Sequence, residues 1–90
     1  MIIRSDGKVE SIKPSNGENF TLSEMQEIVN GHIEILTLGK LGVFMVVHEE
    51  GKLIDLPFND IATGYMKTDG TYKGDFVVGD VLVAQFSEID

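Results

Sequence analysis

The sequence has no cysteine and no tryptophan, only two prolines, and no long hydrophobic run. The missing cysteine excludes disulfides, thiolate nucleophiles and thiolate metal sites, which suits a reducing compartment. No apolar run reaches the roughly 18 residues that a membrane span requires, and the first residues alternate like a strand rather than forming a basic, apolar export signal. We therefore expect a cytoplasmic protein that is not exported and does not bind a membrane.

Basic residues are also scarce, because 7 Lys and Arg stand against 15 Asp and Glu for a formal net charge of −8. Proteins bind a phosphate backbone through clustered Lys and Arg side chains. Because this chain has few of them and a strong excess of acids, direct nucleic-acid binding is not expected. The carboxylates are scattered among the lysines, which favours an ordinary solvated surface. A surface that mimics the charge of DNA for a DNA-binding partner is the alternative.

The clearest positive signal is a helix that leads directly into a strand within residues 20–38. Thr21 followed by Glu24 has the spacing of a capping box, so a helix is predicted to begin there. Apolar residues then recur at helical spacing until Gly31, which we interpret as the left-handed residue that ends the helix. Residues 32–38 alternate as a half-buried strand does.

The whole chain of 90 residues predicts a single domain, residues 1–90, of the α+β class. We expect a mostly antiparallel sheet of about five strands with two short helices. An apolar strand that completes a sheet across a two-fold axis would give a homodimer, and residues 81–86 or 43–47 are the candidates. The remaining predicted elements are a bulged hairpin with Ile3 opposite Val9, a strand at 43–47 antiparallel to 32–38, a helix capped by Asn59, and a buried strand at 81–86.

Motifs of catalysis and metal binding are absent. The sequence has no glycine-rich phosphate loop, no G-x-S-x-G elbow, no H-E-x-x-H and no EF-hand spacing. His32 precedes Glu34, and His48 precedes Glu50, at the two-residue spacing that puts side chains on one face of a strand. If His32 approached His48, the four groups would suit zinc or iron. Isolated histidines near acids are ordinary, so neither a metal nor another cofactor is expected, and the protein is not predicted to be an enzyme.

Five residues are candidates for ligand binding. Asn59 most simply caps a helix, but its amide also has the donors and acceptor that would read a base or a ribose. Lys52 would offset phosphate charge, and Tyr65 is either a core ring or a platform for stacking. His48 and Glu50 belong to the turn beside them. This arrangement requires Lys52, Asn59 and Tyr65 on one side of a cleft.

Three blocks of sequence, IVNGHIEIL, VVHEEGKLIDLPFNDIAT and VVGDVLVAQF, resemble the domain-of-unknown-function 3846 family, which occurs in bacteriophages, plasmids and their bacterial hosts. The resemblance covers most of the chain and implies a mobile-element origin. Asn30 departs from it, since a second glycine is expected there, and no catalytic residue is carried over. The matching positions are Val29, Gly31, Ile33, Glu34, Glu50, Gly51, Leu56, Pro57, Asn59, Ala62, Gly79 and Asp80.

These observations predict a non-catalytic binding module of a phage or mobile element that works in the host cytoplasm. The first hypothesis is counter-defence by sequestering a small nucleotide signal. The alternative is an acidic protein-interaction module or DNA mimic that blocks a host protein, and a small hydrolase that uses a carboxylate pair is less favoured than either. The expected partner is accordingly a small polar molecule or a host protein.

Overall fold

The computed structural model describes residues 1–89, in which an antiparallel five-stranded sheet is combined with two helices. This architecture confirms the α+β prediction. The elements are β1 (Ile2–Ile3), β2 (Val9–Glu10), α1 (Leu22–Val29), β3 (Ile33–Leu38), β4 (Val43–His48), α2 (Asp60–Asp69), β5 (Val81–Gln85) and a short 3-10 turn (Phe86–Glu88).

The strands lie in the order β2-β1-β5-β4-β3, and every neighbouring pair is antiparallel. The first hairpin sets Ile3 opposite Val9, as the bulged loop predicts. The longer hairpin, β3 with β4, is also antiparallel and sets Ile33 opposite His48. The two edges of the sheet are therefore β2 and β3.

The strands proposed for a two-fold sheet are not at an edge. β5 lies between β1 and β4, and β4 lies between β5 and β3, so both already have partners on either side. The prediction that residues 81–86 or 43–47 extend the sheet across a dimer axis is therefore wrong. Residues 81–84 are buried on both faces, because a helix covers each side of the sheet, and such a continuous apolar run is typical of a central strand.

Helix α1 begins as its capping box predicts. The Glu24 N–H donates to the Thr21 hydroxyl over 3.1 Å, and the Thr21 N–H donates to the Glu24 carboxylate over 3.0 Å. The helix ends at Asn30, which has the left-handed φ of 65°, so the prediction of Gly31 as the left-handed residue is wrong. Gly31 is needed for another reason: a Cβ built there would lie 2.3 Å from the His48 Nε2.

Each face of the sheet has its own hydrophobic core. On one face, α1 packs Met25 and Val29 against a group that includes Val46 and Leu82. On the other face, α2 contributes Ala62 and Met66 to a second core. That second group also contains the sheet residues Ile3, Met45, Val47, Val81 and Val83.

Two polar side chains fasten α2 to the loops around it. The Thr63 hydroxyl accepts the Val77 N–H over 2.9 Å. The Asp69 carboxylate accepts the backbone N–H groups of Lys40 and Leu41 over 2.8 and 3.1 Å, which holds the turn between β3 and β4 against the end of the helix. Hydrogen bonds from Thr71 and from these turn amides keep the pKa of Asp69 below its ordinary value. Neither helix within residues 1–89 is long and apolar enough to cross a membrane.

Candidate functional site

A cleft of about 190 Å³ lies on the α2 side of the sheet, beside the open end of the β3–β4 hairpin. Its walls come from strands β3 and β4, the turn after β4, helix α2 and the segment before β5. Strand β3 contributes Glu34 and Leu36, the turn after β4 contributes Lys52, and the segment before β5 contributes Tyr72 and Phe76. The cleft is therefore a product of the tertiary fold, not of any contiguous motif.

Among residues 1–89, the ammonium group of Lys52 is the only Lys or Arg charge in the wall of this cleft, and two neighbours hold it in place. It forms an ion pair with Asp75 and lies 4.5 Å from the centroid of the Phe76 ring. The Asp75 carboxylate also accepts the Phe76 N–H over 2.8 Å. Lys52 and this backbone N–H together lower the pKa of Asp75. The charge of Lys52 is thus already neutralised by the protein.

The balance of charge in the cleft is negative. Glu34, Glu49 and Asp75 supply three carboxylates to the wall, against the single ammonium of Lys52. An incoming phosphate would meet an excess of like charge, whereas a neutral or basic group would meet favourable electrostatics. The cleft as built therefore favours a neutral or cationic ligand group.

Large apolar side chains are exposed in the cleft wall and next to it: Leu53 and Phe76 line the cleft, Ile54 follows Leu53 in the turn, and Phe58 is the ring neighbour of Phe76. Leu53 is 82% exposed, and Ile54, Phe58 and Phe76 are 55%, 51% and 42% exposed. The rings of Phe58 and Phe76 lie 6.1 Å apart. We call these four residues the apolar rim. Exposed apolar groups that cluster next to a cleft are typical of an interaction surface, whereas single exposed ones are ordinary.

The turn after β4 explains why the rim points outward. The N–H groups of Leu53 and Ile54 both donate to the Glu50 carbonyl, over 3.0 and 3.1 Å, so the chain forms one tight turn. Asp55 then adopts a left-handed φ of 54°, and the Leu56 N–H donates back to the Gly51 carbonyl over 3.0 Å. Leu56 turns inward as a result, and the two apolar residues before it are left in solvent.

Asn59 is a structural residue in this fold. It is 1% exposed, and its amide donates to the carbonyls of Ile3 and Gly79 over 2.9 and 2.8 Å. Its side-chain oxygen accepts the Ala62 N–H over 3.0 Å, which confirms it as the N-cap of α2. Both amide hydrogens are used inside the protein, so this side chain does not present donors to the cleft.

The other predicted ligand residues are also dispersed. Tyr65 lines a different cavity, of about 310 Å³, beside Val43 and Val83. The His48 ring lies over Gly31, its Nδ1 accepts the Glu50 N–H over 3.0 Å, and Glu50 itself is exposed in the turn.

Of the five predicted residues, Lys52 and His48 line the cleft, while Asn59, Tyr65 and Glu50 do not. The predicted arrangement of Lys52, Asn59 and Tyr65 on one side is therefore not formed. The arrangement does not form for two reasons: the Asn59 amide is hydrogen-bonded to backbone carbonyls inside the protein, and Tyr65 lies beside another part of the sheet.

The two histidine–glutamate pairs do not form a metal site. The register sets His48 opposite Ile33, and His32 lies one position further along, where its carbonyl accepts the Glu49 N–H over 2.8 Å. Successive strand residues point to opposite faces, so the two imidazoles are not cross-strand neighbours. Across residues 1–89, no three His, Asp or Glu side chains are grouped so that they could hold a metal ion.

The fold and the cleft define a small α+β domain with one open, acidic, apolar-rimmed groove beside its β3–β4 hairpin. The profile of the family described as Domain of unknown function (DUF3846) matches residues 1–89, so the chain belongs to that family. No curated protein and no solved structure matches the chain.

Several positions that carry the family resemblance meet at one point of the structure. Gly79 has a left-handed φ of 74°, and a Cβ there would lie 2.8 Å from the Leu56 side chain. The Gly79 N–H donates to the Pro57 carbonyl over 2.7 Å, while its own carbonyl accepts from Asn59. A Cβ on Gly51 would lie 2.9 Å from Val78. These positions therefore specify how two segments cross.

Sequence reasoning did not single out several residues of the cleft and its rim, among them Leu53, Tyr72, Asp75 and Phe76. The pair Leu53 and Ile54 carried a usable signal, because two large apolar residues stand inside a turn rather than in a strand or helix. Phe76 carried none, since it adjoins the apolar run that leads into β5 and is indistinguishable from a core residue by pattern.

Proposed function

We propose that the domain is a non-catalytic binding module that recognises a protein partner through the cleft and its apolar rim. The observation that carries this proposal is the rim itself, where Leu53 and Phe76 stand exposed beside a groove with an excess of carboxylates. Apolar anchors next to complementary charge are the usual components of a protein interface. The proposed partner surface is apolar with basic residues around it.

The size of the cleft favours a protein over a small molecule. Sites that enclose a drug-sized ligand have volumes of roughly 300–1,000 Å³. The cleft has about 190 Å³, which is enough for one or two side chains of a partner. A protein partner would also cover the rim, whereas a small ligand inside the groove would leave it in water.

The biological setting of this proposal rests on the family resemblance, which implies a phage or mobile-element origin. In that setting the partner is a protein of the bacterial host, bound in the host cytoplasm and blocked stoichiometrically. The net charge of −8 supports a basic partner and speeds the association of oppositely charged proteins.

The test compares the native chain with two variants in a quantitative capture experiment from host lysate. Leu53→Ser combined with Phe76→Ser removes two rim anchors, while Leu22→Ser removes an apolar side chain of α1, on the opposite face, that is 56% exposed. We expect a specific host protein to be retained by the native chain and by Leu22→Ser, and to be lost with the rim variant. Equal retention by all three proteins rejects the proposal.

Sequestration of a nucleotide signal is the second candidate, and the pair formed by Phe76 and Lys52 is the observation that favours it. An exposed ring beside an ammonium group is able to stack a base and contact a phosphate, provided that Lys52 exchanges Asp75 for the ligand. Calorimetry with a panel of linear and cyclic nucleotides tests this function. Submicromolar binding that is lost on Lys52→Ala but kept on Lys67→Ala, with the ligand recovered intact, supports it; no heat with any nucleotide rejects it.

A further inference from the structure

The outer side of strand β3 is a free sheet edge. The Glu49 N–H donates to the His32 carbonyl, so the even-numbered residues of this strand turn their backbone groups toward β4. Backbone groups alternate along a strand, and residues 33, 35 and 37 consequently turn theirs away. The Thr37 N–H is taken by the Tyr72 hydroxyl over 3.3 Å. Within residues 1–89, no backbone partner is found for the outward groups of Ile33 and Ile35.

The two edges of the sheet are protected differently. Strand β2, at one edge, has only two residues and so offers little template for pairing. Strand β3, at the other edge, has six residues, IEILTL, with no lysine, proline or bulge to discourage another strand. Its single charge is Glu34. An unguarded edge of this length is unusual in a protein that must avoid indiscriminate pairing, and it therefore requires an explanation.

We propose that β3 binds an extended basic segment of the partner protein as an added sixth strand. This inference rests on the proposed function and names how the partner is held. Main-chain hydrogen bonds to Ile33 and Ile35 would supply affinity, and alternate side chains of the added strand would supply specificity. The edge is continuous with the cleft, since Glu34 and Leu36 belong to both.

Charge identifies the occupant. Side chains of an added strand on the α2 face would lie next to Glu34, and the carboxylates of Glu49 and Asp75 line the same cleft. Lysine or arginine at those positions gains favourable electrostatics, while glutamate or aspartate is repelled. A second copy of this chain is disfavoured on the same ground, because each copy carries a net charge of −8.

The structure also limits the length of the bound segment. The Tyr72 hydroxyl occupies the outward N–H of Thr37, so pairing would stop at that end unless the tyrosine moved. The free stretch covers residues 33–36, which corresponds to about four residues of partner backbone. The main-chain contacts are therefore few, and the basic and apolar side chains must account for much of the selectivity.

The test uses two eight-residue peptides, one that alternates valine with lysine and one that alternates valine with glutamate. Amide hydrogen exchange measured by NMR reports directly on the edge. We expect saturating lysine peptide to slow exchange of the Ile33 and Ile35 amides at least tenfold, and the glutamate peptide to bind at least tenfold more weakly. Ile35→Pro removes one outward N–H and should abolish the binding.

A charge variant keeps the test decisive if Ile35→Pro does not fold. Glu34→Lys leaves two carboxylates against two ammonium groups in the cleft, so it should remove most of the preference for the lysine peptide. Glu27→Lys, the same charge change on exposed α1, should leave the preference unchanged. If millimolar lysine peptide leaves the amide exchange rates of Ile33 and Ile35 unchanged, the inference is overturned. So does protection of Ile35 that needs no peptide and rises with protein concentration, because a second copy then occupies the edge.

The capture experiment separates this inference from the function on which it rests. Suppose that the variant with Leu53→Ser and Phe76→Ser loses the host partner, while Glu34→Lys and Ile35→Pro still retain it. That result supports the proposed binding function and rejects strand addition. A partner that is insensitive to the rim variant rejects the proposed function itself.

Discussion

Replacing Asn59 should destabilise the protein severely, and the structure allows the loss to be worked out. The side chain makes three hydrogen bonds in a buried position: one that caps α2 and two that satisfy the carbonyls of Ile3 and Gly79. Loss of a cap costs about 1 kcal/mol, and each lost buried hydrogen bond costs about 1 kcal/mol more. Asn59→Ala should therefore lower the free energy of unfolding by about 3 kcal/mol.

The measurement is denaturation by guanidinium followed by far-ultraviolet circular dichroism, with thermal unfolding as a second readout. For a domain of this size, about 3 kcal/mol corresponds to a fall in Tm of roughly 12–24 °C. Asn16→Ala is the matched control, because the Asn16 amide oxygen accepts only the N–H groups of its own exposed loop, those of Glu18 and Asn19. It should cost less than about 1 kcal/mol.

Two further substitutions at Asn59 divide the loss into its parts. Asn59→Ser keeps an oxygen for the Ala62 N–H and should recover part of the cap. Asn59→Asp keeps the cap but points a carboxylate oxygen at two carbonyls, which raises its folded-state pKa. The loss of stability caused by the charge of this carboxylate should be absent below about pH 3.9, where the group is protonated in both the folded and the unfolded state. It should grow as the pH rises above this value. If Asn59→Ala lowers the free energy of unfolding by less than about 1 kcal/mol, the three hydrogen bonds of Asn59 do not have the structural role assigned to them here.

Four other outcomes are expected. Gly64→Ala in α2 should raise the free energy of unfolding by about 0.5–1 kcal/mol, because a Cβ there meets nothing within 4 Å. Gly31→Ala should lower it, because the added Cβ would collide with the His48 ring. Chemical denaturation of both variants checks this contrast. Stability should fall in acid as the lowered pKa values of Asp69 and Asp75 are passed, and Asp69→Asn should flatten this fall below about pH 4 in the same assay. If the protein mimics DNA, duplex DNA should compete for its host partner and rising salt should weaken the complex; a salt-independent complex contradicts the mimic. The homodimer predicted from the sequence has lost the edge strands proposed to form it, and light scattering at micromolar concentration tests it: a dimer would keep that prediction, and a monomer contradicts it.

Local chemistry explains the parts of the fold that were predictable. A capping box needs only Thr21 and Glu24 at the right spacing, and the bulged hairpin needs only a turn signal and the apolar pattern around it. Where the prediction was wrong, a distant residue decided the outcome. Gly31 was expected to end α1, but the close approach of His48 from β4 requires a glycine at that position, and Asn30 adopts the left-handed conformation instead.

The candidate site was less predictable, because its parts are brought together only by the tertiary fold. Lys52 and Asp75 are 23 residues apart, and no periodic pattern connects them. Asn59 had the chemistry of both a cap and a ligand residue, and only the carbonyls of Ile3 and Gly79, far along the chain in both directions, decide how it is used. A short-range pattern contains neither fact.

The contrast between buried polar and exposed apolar residues supports the proposed binding surface more strongly than any motif does. Asn59, Thr63 and Asp69 are buried, and each is hydrogen-bonded, so the fold satisfies the polar groups that it encloses. It nevertheless leaves Leu53 and Phe76 in solvent, although a core lies immediately behind them. In a sequence that otherwise buries its apolar groups and protects its sheet edges, exceptions are expected at functional sites. The apolar rim and the unguarded edge of β3 are two such departures, and they adjoin the same cleft, which is why we place binding there.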